Sequence, residues 1–147
     1  MNAYLIIGEP NTRKSSLLRS LTGCFNRSDR DIQLADGTTI RIYARVSSLQ
    51  ESKITAKDFL AEVAARGCSN VIFCLLPEPN PLFPMLYPDA DMYITAFEEA
   101  GWSFAKTAVV GTHPITPDLP YVARFPRAAS LPINLLAKNI RTHFEWV

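Results

Sequence analysis

Ala3-Tyr4-Leu5-Ile6-Ile7 runs into Gly8-Glu9-Pro10-Asn11-Thr12-Arg13-Lys14-Ser15-Ser16, and then into Leu17-Leu18-Arg19-Ser20-Leu21-Thr22-Gly23. The first five residues are an apolar run of strand length with no polar alternation. Leu17, Leu18 and Leu21 recur at helical spacing, and Gly23 is placed to end the helix. The polar stretch between them is therefore a strand-to-helix turn. Backbone N–H groups curling at the start of a helix, with the positive end of the helix dipole behind them, suit a cluster of phosphate oxygens.

Gly8, Lys14 and Ser15 hold three fixed places of the P-loop pattern, which is Gly, four residues, then Gly-Lys-Ser/Thr. Arg13 stands where the second glycine belongs. Glycine is favoured there because the chain turns sharply and bare backbone approaches the phosphates. With Arg13 three outcomes are open: the side chain points outward, folds inward as an extra cation, or blocks the site. On the pattern, Gly8, Glu9, Pro10, Asn11, Thr12, Arg13, Lys14, Ser15 and Ser16 form the phosphate loop. Lys14 supplies a point charge, and the Ser15 hydroxyl is the ligand for Mg2+ if a nucleotide binds.

The rest of the chain builds an α/β frame around this turn. Asp36-Gly37 separates Ile32–Leu34 from the alternating run Thr39–Val46, which predicts a hairpin. Phe59, Leu60, Val63 and Ala64 predict a helix over 57–65 that stops at Gly67, and Asn70–Leu76 is a strand buried on both faces. Pro77, Pro79, Pro81, Pro84 and Pro88 make the next stretch a loop. A helix over 89–100 follows, with Met92, Ile94, Ala96 and Phe97 as candidate buried positions. After it come a strand over 106–111, a second proline-rich loop over 114–126, and a helix over 132–144 burying Ile133, Leu136 and Ile140. Strands alternating with helices predict a mostly parallel sheet with helices on both faces and one antiparallel hairpin. Ligands of such sheets bind beyond the strands' carboxyl ends.

At 147 residues, 48% hydrophobic and 20% charged, the chain fits one folded domain spanning 1–147. A net charge of +1 gives no broad footprint for nucleic acid or an anionic membrane, so neither is an expected partner. Arg13, Lys14, Arg19, Arg27 and Arg30 read as a solvated basic face. Cys24, Cys68 and Cys74 form no CxxC pair and follow no secretory signal, so reduced thiols in a cytoplasmic protein are expected. His113 and His143 lack the spacing of a metal site.

The segment from Gly8 to Gly23 resembles the motif of the Era-like and Ras-like GTPases, in which Pro-Asn precedes Gly-Lys-Ser and Leu-Thr-Gly closes the helix. Residues 31–46 are similar to the hairpin that follows in that family. The resemblance implies a three-layer P-loop NTPase-like fold that binds a nucleoside triphosphate or diphosphate. The family's Asp-x-x-Gly after the hairpin is replaced by Arg45-Val46-Ser47-Ser48-Leu49-Gln50-Glu51, and its Asn-Lys-x-Asp by Gly111–Asp118, with no guanine-gripping aspartate. Ala128-Ala129-Ser130 is only loosely similar to the family's last loop. The link from Gly23 to Ile32 is too short for a full first switch loop, and Ser28 is the residue within it that could stand near a magnesium ion.

The expected function is nucleotide binding, of ATP or GTP, with weak or absent hydrolysis. The alternatives are a scaffold that has lost the nucleotide and binds a protein partner, and a small kinase. Glu78, just beyond the buried strand, and Glu51, after the hairpin, are candidate catalytic carboxylates, each set against a reading as a solvated loop residue. His113, at a strand end, is read as a structural loop histidine. Trp102, Phe104 and Trp146 are expected to pack in or beside the core, as are the Met and Phe residues of 83–93.

Overall fold

The buried apolar runs become central strands because each can be covered on both faces only inside a layered sheet. The computed structural model describes residues 1–10, 12–115, 117–126 and 132–147. In chain order the elements are β1 (Asn2–Gly8), α1 (Lys14–Thr22), β2 (Arg27–Gln33), β3 (Thr39–Arg45), α2 (Ala56–Arg66), β4 (Asn70–Leu75), α3 (Ala90–Glu99), β5 (Ser103–Val110), β6 (Val122–Phe125) and α4 (Ile133–Phe144). Among the described residues the sheet has six strands, in the order β2-β3-β4-β1-β5-β6. Among these strands only the β2–β3 pair is antiparallel.

Alternation along β1 divides the core in two. Tyr4 and Ile6 face a cluster with Leu17, Leu18 and Leu21 of α1 and Leu136, Ala137 and Ile140 of α4. Ala3, Leu5 and Ile7 face the other, with Phe59 and Val63 of α2 and Ile94 and Phe97 of α3. Two helices therefore cover each face. Trp102 stacks on Phe97 with ring centroids 4.5 Å apart, and Trp146 packs edge-on against Tyr4 and Phe144, as core flanks. Among the described residues no helix is long and apolar enough to cross a membrane, and the three cysteines are free thiols.

Local chemistry sets the boundaries. Gly23 ends α1 in the left-handed region at φ 71°, donating its N–H to the Arg19 carbonyl at 2.8 Å. Thr55 and Asp89 cap α2 and α3 by accepting the Asp58 and Met92 N–H groups. Asp36 Oδ1 accepts from the Thr38 N–H at 2.9 Å and fixes the hairpin turn.

Several expectations require correction. The hairpin's first strand begins at Arg27, five residues before Ile32, and pairs from Arg27↔Arg45 to Gln33↔Thr39. Its residues are charged because β2 is an edge strand, with Asp29 and Asp31 paired to Arg66 and Arg41. Ser28 therefore lies within an edge strand three places from β1, its hydroxyl 3.4 Å from the Cys24 sulfur, and is not in a switch loop. The second proline-rich stretch contains β6, parallel to β5 from Thr107↔Val122 to Val110↔Phe125. β5 starts at Ser103, where its N–H finds the Met1 carbonyl at 2.9 Å. Met92, Phe83 and Met85 are exposed, at 61%, 44% and 91%, against the expectation of burial, and Ala64 is exposed as well. Residues 128–130, compared above with the last GTPase loop, lie outside the described residues, as does Asn11.

Candidate functional site

The parallel strands β1 and β4 deliver their carboxyl ends, Gly8 and Leu75, to one edge of the sheet, and the candidate loop begins there. Gly8 is demanded by crowding: a Cβ on it would stand 2.7 Å from Thr12 Oγ1 and 3.1 Å from Lys14 Cδ. The Glu9 carbonyl then gathers the loop, accepting from the Thr12 N–H at 3.3 Å, the Thr12 hydroxyl at 2.7 Å and the Lys14 ammonium at 2.9 Å.

Arg13 precedes α1 at φ 61°, ψ 34°, the left-handed conformation that glycine adopts without penalty. The backbone thus takes the turn despite the Cβ. Arg13 is exposed, the outward outcome of the three left open. Among the described residues no side chain caps α1, and no acidic residue lies in its first turn. The first-turn N–H groups of an uncapped helix are unsatisfied donors backed by the positive end of the dipole.

Lys14 is the unusual residue of the loop. It is only 5% exposed although it carries an ammonium group. Burial pushes its pKa below the ordinary lysine value, opposed by the Cys74 thiol and the Glu51 carboxylate nearby. The same neighbourhood pushes the Cys74 thiol up to about 12, chiefly through burial, with Lys14 pulling the other way. Glu51 Oε1 stands 4.0 Å from Lys14 Nζ and accepts from the Ser48 hydroxyl at 2.6 Å. With the Glu51 side chain 55% exposed, that ion pair is worth at most about 1 kcal/mol.

Of the two candidate carboxylates, only Glu51 makes an ion pair with the loop among the described residues. Glu78 is exposed in the proline-rich segment and makes no ion pair or side-chain hydrogen bond among the described residues. Glu51 arrives by an indirect route, because β4 lies between β1 and the hairpin strand β3. After β3, residues 46–51 cross the end of β4, where the Leu49 N–H meets the Cys74 carbonyl at 3.3 Å.

Gln50, fully buried, fixes that crossing. Its Nε2 donates to the carbonyls of Leu76 at 2.8 Å and Pro88 at 3.1 Å, and its Oε1 accepts the Leu76 N–H at 3.0 Å. Its own carbonyl accepts from Asn80 Nδ2 at 3.1 Å. Ser48, Gln50 and Cys74 are the site residues that sequence reading missed. A Gln beside a candidate acid carries no motif signal, and its role depends on which strand lies next to which.

Ser15 and Ser16 sit half-buried in the first turn of α1. A hydroxyl and a nearby carboxylate are hard oxygen donors of the kind magnesium takes, but Mg2+ also keeps several waters and substrate oxygens. Among the described residues no group of three or more His, Cys, Asp or Glu is placed to hold a metal by itself. His113 is buried beyond β5, with its carbonyl accepting from Arg124 at 2.6 Å, and belongs to the β5–β6 connection. No family model matches the chain, and neither the curated proteins nor the solved structures give a significant match.

Proposed function

We propose that the loop from Gly8 to Ser16 binds the phosphates of a nucleoside triphosphate or diphosphate, ATP or GTP, in a P-loop NTPase-like, GTPase-like domain with weak or absent hydrolysis. The observation that supports this most directly is Lys14, an ammonium buried at the uncapped N-terminus of α1. Burying such a charge is costly unless it is paired and hydrogen-bonded, and an anion against the same N–H groups would supply that pairing. Ser15 would hold Mg2+, which neutralises phosphate charge and would arrive with the phosphates. Hydrolysis is expected to be weak because Glu51 is held by Ser48 and paired with Lys14, and Glu78 is turned out to solvent. Efficient phosphoryl transfer needs an oriented nucleophile as well as a phosphate cradle. The free thiols fit a cytoplasmic setting.

A second reading, a scaffold that has lost the nucleotide, rests on one specific feature: the loop is already satisfied internally, with Lys14 bonded to the Glu9 carbonyl. Calorimetry with ATP, GTP, ADP and GDP in the presence of Mg2+ separates the two. Binding by the wild type that is lost in a folded Lys14→Ala variant supports the nucleotide reading. No binding of any of the four at millimolar ligand overturns it in favour of the scaffold.

A further inference from the structure

Charge is segregated along this chain. Residues 67–105 contain no Lys, Arg or His, yet hold five of the 14 acidic residues: Glu78, Asp89, Asp91, Glu98 and Glu99. The same stretch carries Leu82, Phe83, Met85, Leu86 and Met92, all exposed large apolar side chains. An open groove of ≈ 400 Å³ on the outer side of α3 is lined by Asp89, Asp91, Met92, Thr95, Ala96 and Glu99. Glu98 and Glu99 end α3 with no basic residue in its last turn, where the helix dipole disfavours carboxylates. Neither has an ion-pair partner among the described residues. Met92 and Ala96 set among the carboxylates of Asp89, Asp91 and Glu99, the last held at some cost to the helix, are complementary to an apolar knob flanked by cations.

Such a knob exists on the same molecule. Phe25, between α1 and β2, is 78% exposed, yet it is held in place. Arg19 donates Nε to the Phe25 carbonyl at 2.8 Å and lays its guanidinium 4.8 Å from the ring centroid. Arg30 donates to the Gly23 carbonyl at 2.8 Å beside it. Neither Arg19 nor Arg30 has a carboxylate partner among the described residues. Aromatic residues and arginine are both enriched at protein–protein interfaces, and arginine is among the residues that dominate their binding energy.

We propose that Phe25, with Arg19 and Arg30, docks into the α3 groove of a second copy of this chain. α1 packs on one face of the sheet and α3 on the other, so the contact is head-to-tail and leaves both ends free to add further copies. This inference does not rest on the nucleotide reading, and its failure leaves that reading untouched.

The test is sedimentation velocity of the full chain over a range of concentrations. Wild type should grow in mass with concentration at about 0.1 M salt and revert toward monomer at about 1 M, where the screening length falls to ~3 Å. Asp91→Lys with Glu99→Lys, and separately Arg19→Glu with Arg30→Glu, should each be monomeric with native circular dichroism. An equimolar mixture of the two should assemble again, because each reversed surface then meets its reversed complement. Phe25→Ser, which leaves every charge in place, should weaken association by at least about tenfold. A wild type that stays monomeric up to its solubility limit overturns the proposal. So does a mixture of the two folded variants that fails to assemble.

Discussion

Replacing Arg13 by glycine should stabilise this protein, an unusual direction for a change at a candidate binding loop. Arg13 sits at φ 61°, ψ 34° and makes no capping hydrogen bond with its side chain. An L-residue in that region carries about 1–2 kcal/mol of steric cost. Glycine removes that cost but adds roughly 0.5–1 kcal/mol of chain entropy lost on folding. The balance is a gain of about 0.5–1 kcal/mol, which for a domain of this size raises Tm by ~1–4 °C. Arg13→Ala keeps the Cβ and should leave Tm near the wild-type value, so the Gly-minus-Ala difference isolates the backbone term. Calorimetric melting of the three proteins reads it directly. A destabilised Arg13→Gly, or an equal gain from Arg13→Ala, would refute the reasoning. Nucleotide titration of the same variants tests the side chain: Arg13 is exposed, so no gain in affinity is expected, and a gain of about tenfold would show that it obstructs the loop.

Lys14→Met should stabilise the domain by about 1 kcal/mol at neutral pH, because it removes a buried, desolvated charge while keeping the volume of the stem. With the folded-state pKa of Lys14 lowered, its penalty is fully present below that value and fades as pH rises toward the ordinary lysine range, so the advantage of Met should narrow in alkaline urea melts. Gln50→Ala removes three hydrogen bonds, two of them buried and one part-buried, and leaves Leu76 groups unpaired, a loss of roughly 2–4 kcal/mol that a shift in urea midpoint will read. Native alkylation followed by mass spectrometry should label the half-buried Cys68 before Cys24 and Cys74; the thiol of Cys74, buried and pushed up to about 12, should react only on unfolding.

The elements legible in the sequence are those with one dominant local signal. β1 and β4 are unbroken apolar runs, α1 ends at a glycine that adopts φ 71°, and Asp36-Gly37 marks the hairpin turn. The first five residues of β2, Arg27 to Asp31, left no signal because an edge strand whose charges pair with Arg41 and Arg66 has no apolar period. β6 is four residues long and lies between prolines, so its pairing to β5 is a tertiary fact with almost no local trace. The exposure of Met85 and Met92 runs against composition itself, since apolar residues read as core wherever nothing else places them. In the site, the Lys-Ser pair and Glu51 could be named from motif and position. Ser48, Gln50 and Cys74 could not, because the approach of Cys74 to Lys14 and the crossing that carries Ser48 and Gln50 alongside Glu51 follow from β4 separating β1 and β3.

That strand order also bears on how strongly the loop resists an incoming anion. Gln50 anchors the backbone next to Glu51 to Leu76 and Pro88, so the carboxylate can leave Lys14 only by side-chain rotation. Because the Glu51 side chain is half exposed, its attraction for Lys14 is screened and costs little to break. The bond from Lys14 Nζ to the Glu9 carbonyl, at 2.9 Å and part-buried, is the firmer restraint. A phosphate that accepts from Lys14 replaces a neutral acceptor with a charged one, and charge-assisted hydrogen bonds are roughly twice as strong. The exchange also frees the Glu9 carbonyl, which keeps its two bonds from Thr12 and is not left orphaned. If the loop binds phosphate as proposed, its internal closure would therefore be a modest barrier, and affinity would be set mainly by how many first-turn N–H groups of α1 converge on the anion.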